Sequence, residues 1–153
     1  MFTHSDYQYS DATTMGNNLA SYVDLGGTVV IGTFSATTGW PLLGAIMGSG
    51  YCPVYSPSGS YSSTYYAYAG DGTSLIHYAV SSYGSSFQND IAVWGSGVAD
   101  GHYTSGAIAH AYRPDYKVVY SNGYSNASTG WPPSGDWPRL IANSCSTGYY
   151  LGY

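Results

Sequence analysis

The side chains able to do acid–base, nucleophilic or metal chemistry are few in this chain of 153 residues, and they are scattered. Four histidines (His4, His77, His102 and His110), eight aspartates, no glutamate and two cysteines make up that inventory beyond the hydroxyl groups. The histidines show no tight spacing among themselves or with a cysteine, so no metal site is read from them. His77 and His110 fall in expected strands between Tyr and Ala, where a lone histidine is a satisfied strand side chain. Ser35 follows an apolar strand, where a nucleophile could stand with a histidine and an aspartate from elsewhere. The G-x-S-x-G setting that presents such a serine is absent, so Ser35 reads as a loop hydroxyl. Asp71, Asp100 and His102 lie in glycine-containing turns and are the loop residues a hydrolase would use. Paired carboxylates would do glycoside chemistry, but no spacing picks out a pair. No cofactor is expected.

Cys52 and Cys145 are expected to form one disulfide. Closing that long loop would stabilise the fold by about 4–5 kcal/mol on the chain-entropy model. The pairing is conditional on an oxidising, extracellular setting, and two buried free thiols are the alternative. Asn126-Ala127-Ser128 is an N-glycosylation sequon in a polar loop.

Aromatic side chains are the commoner resource. Tyr61, Tyr65, Tyr66, Tyr68, Tyr124, Trp131 and Trp137 fall in strands and loops from residue 61 onward and are read as interface or glycan-contact residues. Such rings bury large areas with little entropy loss, keep a polar handle and stack on sugars. Ordinary core packing is the competing reading. Strand alternation puts Tyr66 and Tyr68 on one face and Tyr65 on the other.

The elements that must position these groups are organised around residues 11–35. Ser10 or Asp11 caps a helix whose apolar stripe is Met15, Leu19, Tyr22 and Val23. Gly26 and Gly27 stop it. The run from Thr28 to Phe34 is apolar without alternation, as in a central strand of a parallel sheet. Phe2-Thr3-His4 is too short for a full preceding strand, so Val29–Phe34 is expected at a raw sheet edge. Upstream chain, or another copy, is expected to cover that edge. Further strands are expected at 64–69, 75–80 and 90–94, with a hairpin of 107–112 and 117–121. A last helix starts after Asp136 with Pro138 in its first turn. Residues 36–63 form an irregular lobe, 41–47 within it a short helical turn, and 146–153 an aromatic tail; the whole of 1–153 is one domain.

Three basic residues and a net charge of −5 argue against nucleic acid and against an anionic membrane surface. No apolar run approaches the roughly 20 residues of a membrane-spanning helix. A charge-poor surface of Tyr, Ser, Thr and Asn suits an extracellular protein. Residues 1–4 carry no signal-peptide pattern.

The block from Gly16 to Phe34, GNNLASYVDLGGTVVIGTF, resembles the second half of a class I glutamine amidotransferase-like domain of the non-catalytic secreted type. The order of later pieces (DIAVW, AIAHAY, KVVYS, DWPRLIANS) is similar as well, so the resemblance covers about His4 to Ser144. It implies a flavodoxin-like α/β fold: a three-layer sandwich with a mainly parallel sheet plus a β-hairpin, lacking its first strands. It also implies lost catalysis. Where the family has a nucleophilic Cys on an elbow, this chain reads Gly32-Thr33-Phe34-Ser35-Ala36. Where the family has His-Pro-Glu, it reads Asn122-Gly123-Tyr124-Ser125. The expectation is therefore a non-enzymatic extracellular structural or interaction protein. It self-associates, into a repeating or filamentous assembly, and is glycosylated; its partners are itself and carbohydrate. The alternative is a secreted carbohydrate-binding module, or a hydrolase using loop Asp and His residues.

Overall fold

The computed structural model describes residues 1–3, 7–124 and 132–151. In chain order its elements are β1 (Phe2–Thr3), α1 (Ala12–Asp24), β2 (Val29–Gly32), β3 (Val54–Tyr55), β4 (Tyr61–Ser62), β5 (Tyr66–Ala67), β6 (Tyr83–Ser85), β7 (Gln88–Asn89), β8 (Ala92–Val93), β9 (Val98–Ala99), β10 (His110–Tyr112), β11 (Val118–Ser121), β12 (Ser134–Gly135) and α2 (Trp137–Tyr150). Two single 3-10 turns, Ala45–Met47 and Leu75–His77, complete the set.

The helix that the sequence announces is present. The Asp11 carboxylate accepts from Thr14 N at 2.8 Å, closing the first turn. Of the expected stripe Leu19 and Val23 are buried, Met15 is half-buried and Tyr22 is exposed, while Gly16 and Ala20 complete the buried face. At the far end Gly26 takes φ 92°, and its N–H and that of Gly27 bond back to Val23 O and Tyr22 O. Gly16 lies where the chain presses closest: a Cβ there would stand 1.6 Å from Leu43 O. That contact seats the 36–63 lobe on α1.

The main sheet has the order β1-β2-β11-β10-β9. β2 pairs in parallel with β1 on one side and β11 on the other. β11 turns back from β10 as the expected antiparallel hairpin, with Ala111 opposite Tyr120, and β9 adds antiparallel to β10. Three small antiparallel ribbons, β12-β6-β5, β3-β8 and β4-β7, surround it.

This corrects the expected fold class. The chain does not form a three-layer, mainly parallel α/β sandwich. Among the described residues parallel pairing is confined to the two contacts of β2, and every other strand pairing is antiparallel. Each parallel step needs a long crossover, usually a helix. The described residues contain two α-helices, of 13 and 14 residues. Between them, apart from the four-residue β2 and β11, Gly, Ser and Pro break the chain into strands of two or three residues that pair antiparallel.

β2 is also not the sheet edge. Phe2 stands opposite Val30 and Thr3 opposite Ile31, and Val30 N donates to Met1 O at 2.7 Å. The expected strand at 75–80 is a 3-10 turn, and that at 64–69 shrinks to Tyr66–Ala67. The helix after Asp136 runs on through Tyr150, so the described part of the aromatic tail is mostly the last turns of α2.

Alternation along β2 and β11 divides the core in two. Val29, Ile31, Val118 and Tyr120 face α1, Leu42, Ile46 and Val54. Val30 and Val119 face Trp137, Leu140, Tyr83, Tyr103 and Ile76. The cysteines follow this division. Cys52 is buried in the first cluster, Cys145 is half-buried against the second, and both are free thiols. The expected disulfide is thus corrected: the sheet stands between two sulfurs that would need Cα atoms about 5.5 Å apart.

Candidate functional site

Parallel strands place ligands beyond their carboxyl ends, so the exit of β2 is the first place to look. Phe34 occupies it with φ 74°, a left-handed conformation costly for a bulky residue. The strained turn is held by a buried amide. Phe34 N donates to Asn89 Oδ1 at 2.7 Å, and Tyr120 OH donates to the same oxygen at 2.9 Å. The Asn89 amide donates to Thr37 Oγ1 at 2.7 Å. Asn122 in turn clamps the Asn89 backbone, accepting from its N–H at 2.7 Å and donating to its carbonyl at 3.0 Å. The Phe34 ring fills the space above the strand end, with Tyr61 at 5.0 Å, Phe87 and Tyr124 at 5.5 Å and Trp40 at 6.1 Å between centroids. Ser35 is fully buried, and its hydroxyl has no hydrogen-bond partner among the described residues. Among the described residues no base is hydrogen-bonded to it.

A second cluster gathers the remaining acid–base groups. His77 Nδ1 meets Asp100 Oδ2 at 2.8 Å, and Asp100 also accepts from Thr73 N at 2.8 Å and Ser74 Oγ at 2.5 Å. Burial pushes the Asp100 carboxyl up. The bonds from His77, Ser74 and Thr73 outweigh it and hold the group well below the usual carboxylate range. Tyr83 OH bridges His77 Nε2 and His110 Nδ1, at 3.4 Å from each. Burial drives the Tyr83 phenol far up and holds His110 well below the ordinary histidine value, with His77 adding to the second shift. His110 is therefore neutral, and its Nε2 has no partner among the described residues.

A histidine oriented by a carboxylate has the layout of a general base. Here the outer nitrogen is sealed. Tyr68 stacks on His77 at 5.1 Å and on Tyr83 at 4.4 Å. Gly72 and Gly101 press on the imidazole so closely that a Cβ would stand 2.3 Å and 2.7 Å from its nitrogens. The chain of groups ties the Leu75–His77 turn to β6, β10 and the end of β9. Asp71 and His102, two of the three loop residues named for a hydrolase, bond each other at the surface, Oδ2 to Nδ1 at 2.7 Å, and clip together the two turns that carry them.

The aromatic residues singled out from sequence separate by burial. Tyr61 and Tyr65 are exposed, Tyr65 reaching Ser134 Oγ at 3.2 Å. Tyr66 and Tyr68 are half-buried. Tyr124 and Trp137 are core residues, which corrects their reading as surface contacts; Trp137 packs on Tyr83 at 5.6 Å. Trp131 and Asn126 lie outside the described residues.

Two exposed features were missed. On the β3–β8 ribbon, Tyr55 and Trp94 stand edge to face at 5.7 Å. On the α2 side, Leu75, Tyr78, Asn143, Ser146, Thr147 and Tyr150 line an open cleft of about 280 Å³. Tyr150 was visible in the sequence as part of the aromatic tail, but only the helix running through it places its ring at one cleft with Tyr78. Among the described residues no three His, Cys or Asp side chains converge as a metal site. No described helix is long and apolar enough to cross a membrane. Compared with known proteins, the chain matches no family model and no curated sequence.

Proposed function

We propose that the chain is a non-enzymatic, extracellular structural or interaction module that works by self-association in a repeating, filament-like assembly, with carbohydrate attached at Asn126 or held on its surface. One contrast carries the reading. The cluster of His77, Asp100, Tyr83 and His110 is buried and bonded within itself, and Asp71 and His102 at the surface bond each other, whereas uncharged rings stand in solvent: Tyr149 is 81 % exposed and Tyr150 79 %. The amidotransferase-like resemblance of Gly16–Phe34 adds support through one residue, because the elbow position where that family keeps its nucleophile is filled by Phe34 and a plug of rings. Scarcity of Lys and Arg and the sequon at Asn126 support the extracellular setting. The test is intact mass and negative-stain electron microscopy of native material. Ordered assemblies with added glycan mass are the expected result; dispersed, unmodified monomers would sink the proposal.

A second reading is favoured by the Tyr55–Trp94 pair, 42 % and 38 % exposed, which is the kind of ring platform on which a sugar stacks. It predicts saturable binding of a soluble oligosaccharide by isolated monomer, with quenching of tryptophan fluorescence that Trp94→Ala removes. Unsaturable or unchanged fluorescence across an oligosaccharide panel would refute it.

A further inference from the structure

We infer that the pocket between the end of α1, the start of β11 and the last turns of α2 binds a small oxyanion, a carboxylate or a phosphate group, with the Lys117 ammonium as its counter-charge. The inference is independent of the self-association reading above. The pocket measures about 220 Å³, several times the ~30 Å³ share of one water, so it has room for such a group. Gly26, Gly27, Thr28, Lys117, Cys145 and Tyr149 are among the residues lining it.

Charge carries the argument. A lysine is rarely buried unless its charge is paired. Lys117 is 7 % exposed. Its Nζ donates to Gly26 O at 3.0 Å, just past the end of α1. That carbonyl is a dipole rather than a charge, and it engages one of three N–H donors. Among the described residues no carboxylate forms an ion pair with Lys117. Asp115, two residues away in sequence, holds both its oxygens on the Arg113 guanidinium and accepts only the backbone N–H of Lys117, at 3.0 Å. Arg139, the third basic residue, donates to Ala79 O at 2.9 Å. Lys117 is thus a buried cation that opens on a pocket instead of a partner.

The walls suit an anion. None of the described residues lining the pocket is acidic, although the chain has eight aspartates against three basic residues. Thr28 adds a hydroxyl that can donate. Burial pushes the Cys145 thiol up, so it faces the pocket protonated and brings no negative charge. The Tyr22 ring lies against Gly27, where a Cβ would stand 2.3 Å from it, and closes the side next to α1.

Cys145 is a reporter set in the wall. The experiment alkylates the folded full chain with iodoacetate, itself a carboxylate, and with its neutral analogue iodoacetamide, reading each cysteine by peptide mapping. With either reagent the sulfur loses its proton to solvent, bonds to the reagent's carbon and displaces iodide. The ratio of the two rates at Cys145, divided by the same ratio in denaturant, isolates the attraction of the pocket for an anion. Expected is a ratio raised about tenfold, because a cleft of one charge concentrates its counter-ion, and a ratio close to unity in Lys117→Gln. In wild type, acetate or phosphate added at constant ionic strength should slow the iodoacetate reaction saturably, and the one that does so at lower concentration names the group preferred. A wild-type ratio close to unity overturns the inference, and so does a Lys117→Gln variant, folded by circular dichroism, that keeps the raised ratio. Absence of saturable competition by both anions also overturns it, and that arm needs no variant to fold.

Discussion

Replacing Asn89 by alanine should be the most damaging polar substitution at the exit of β2. Its carbonyl is the acceptor for two buried donors, Phe34 N and Tyr120 OH, and its amide serves Thr37 and the carbonyl of Ser60. Thr37 can rotate its hydroxyl. The Phe34 N–H is buried in the turn that Asn89 itself holds, so the substitution takes away its acceptor. Tyr120 is fully buried. Two orphaned donors at about 1–3 kcal/mol each, plus a small cavity, give a loss of roughly 4 kcal/mol. That is a large part of the ~5–15 kcal/mol available to a domain, and it should lower the melting temperature by about 8–16 °C. The assay is urea unfolding followed by tryptophan fluorescence, with the denaturant slope checked for constancy. A loss below about 1 kcal/mol at an unchanged slope would mean that solvent or a rearranged loop satisfies both donors, and the account of the strained turn would be wrong.

Three further outcomes are expected. Gly16→Ala should destabilise by about 1–3 kcal/mol or more in the same assay, because the new methyl collides with the Leu43 carbonyl, a backbone atom that cannot swing away; a neutral effect would show that the lobe is not seated on α1. His110 is buried neutral, so the unfolded chain binds a proton that the folded chain refuses. Stability should be flat above about pH 6.5 and fall by up to about 1.4 kcal/mol per unit below it. His110→Gln should flatten that slope between pH 6.5 and 5; an unchanged slope would place the titrating group elsewhere. Finally, intact mass after alkylation in denaturant should find two free thiols, and native protein should label at Cys145 far faster than at Cys52, whose thiol burial pushes up to about 12. Resistance of both to alkylation without a reductant would restore the disulfide.

The parts of the fold that were legible in sequence are those fixed by neighbours. The cap at Asp11, the apolar stripe of α1, the glycine stop and β2 all follow from a few residues' spacing, and so does the β10–β11 hairpin. The illegible parts are fixed at long range. Leu75–Val80 carries a strand-like composition, but Asp100, 23 residues beyond His77, bends it into a 3-10 turn by capturing His77 and Ser74. β1 is too short for any periodic signal and exists because β2 offers it hydrogen-bonding groups. Tyr124 and Trp137 could not be told from Tyr61 and Tyr65 by residue type, since the same ring suits core and surface. The Asn89–Asn122 pair has no motif. Thirty-three residues separate two amides that recognise each other only once the loop has closed.

The turn at Phe34 has a consequence for what this scaffold could become. Its backbone shape is imposed from outside, by an amide on a different loop, and does not depend on the side chain it displays. Position 34 is thus a socket whose geometry would survive a change of plug. A single replacement of the ring by a small nucleophilic residue would leave a pit walled by Trp40, Tyr61, Phe87 and Tyr124 around a reactive atom on an already bent turn.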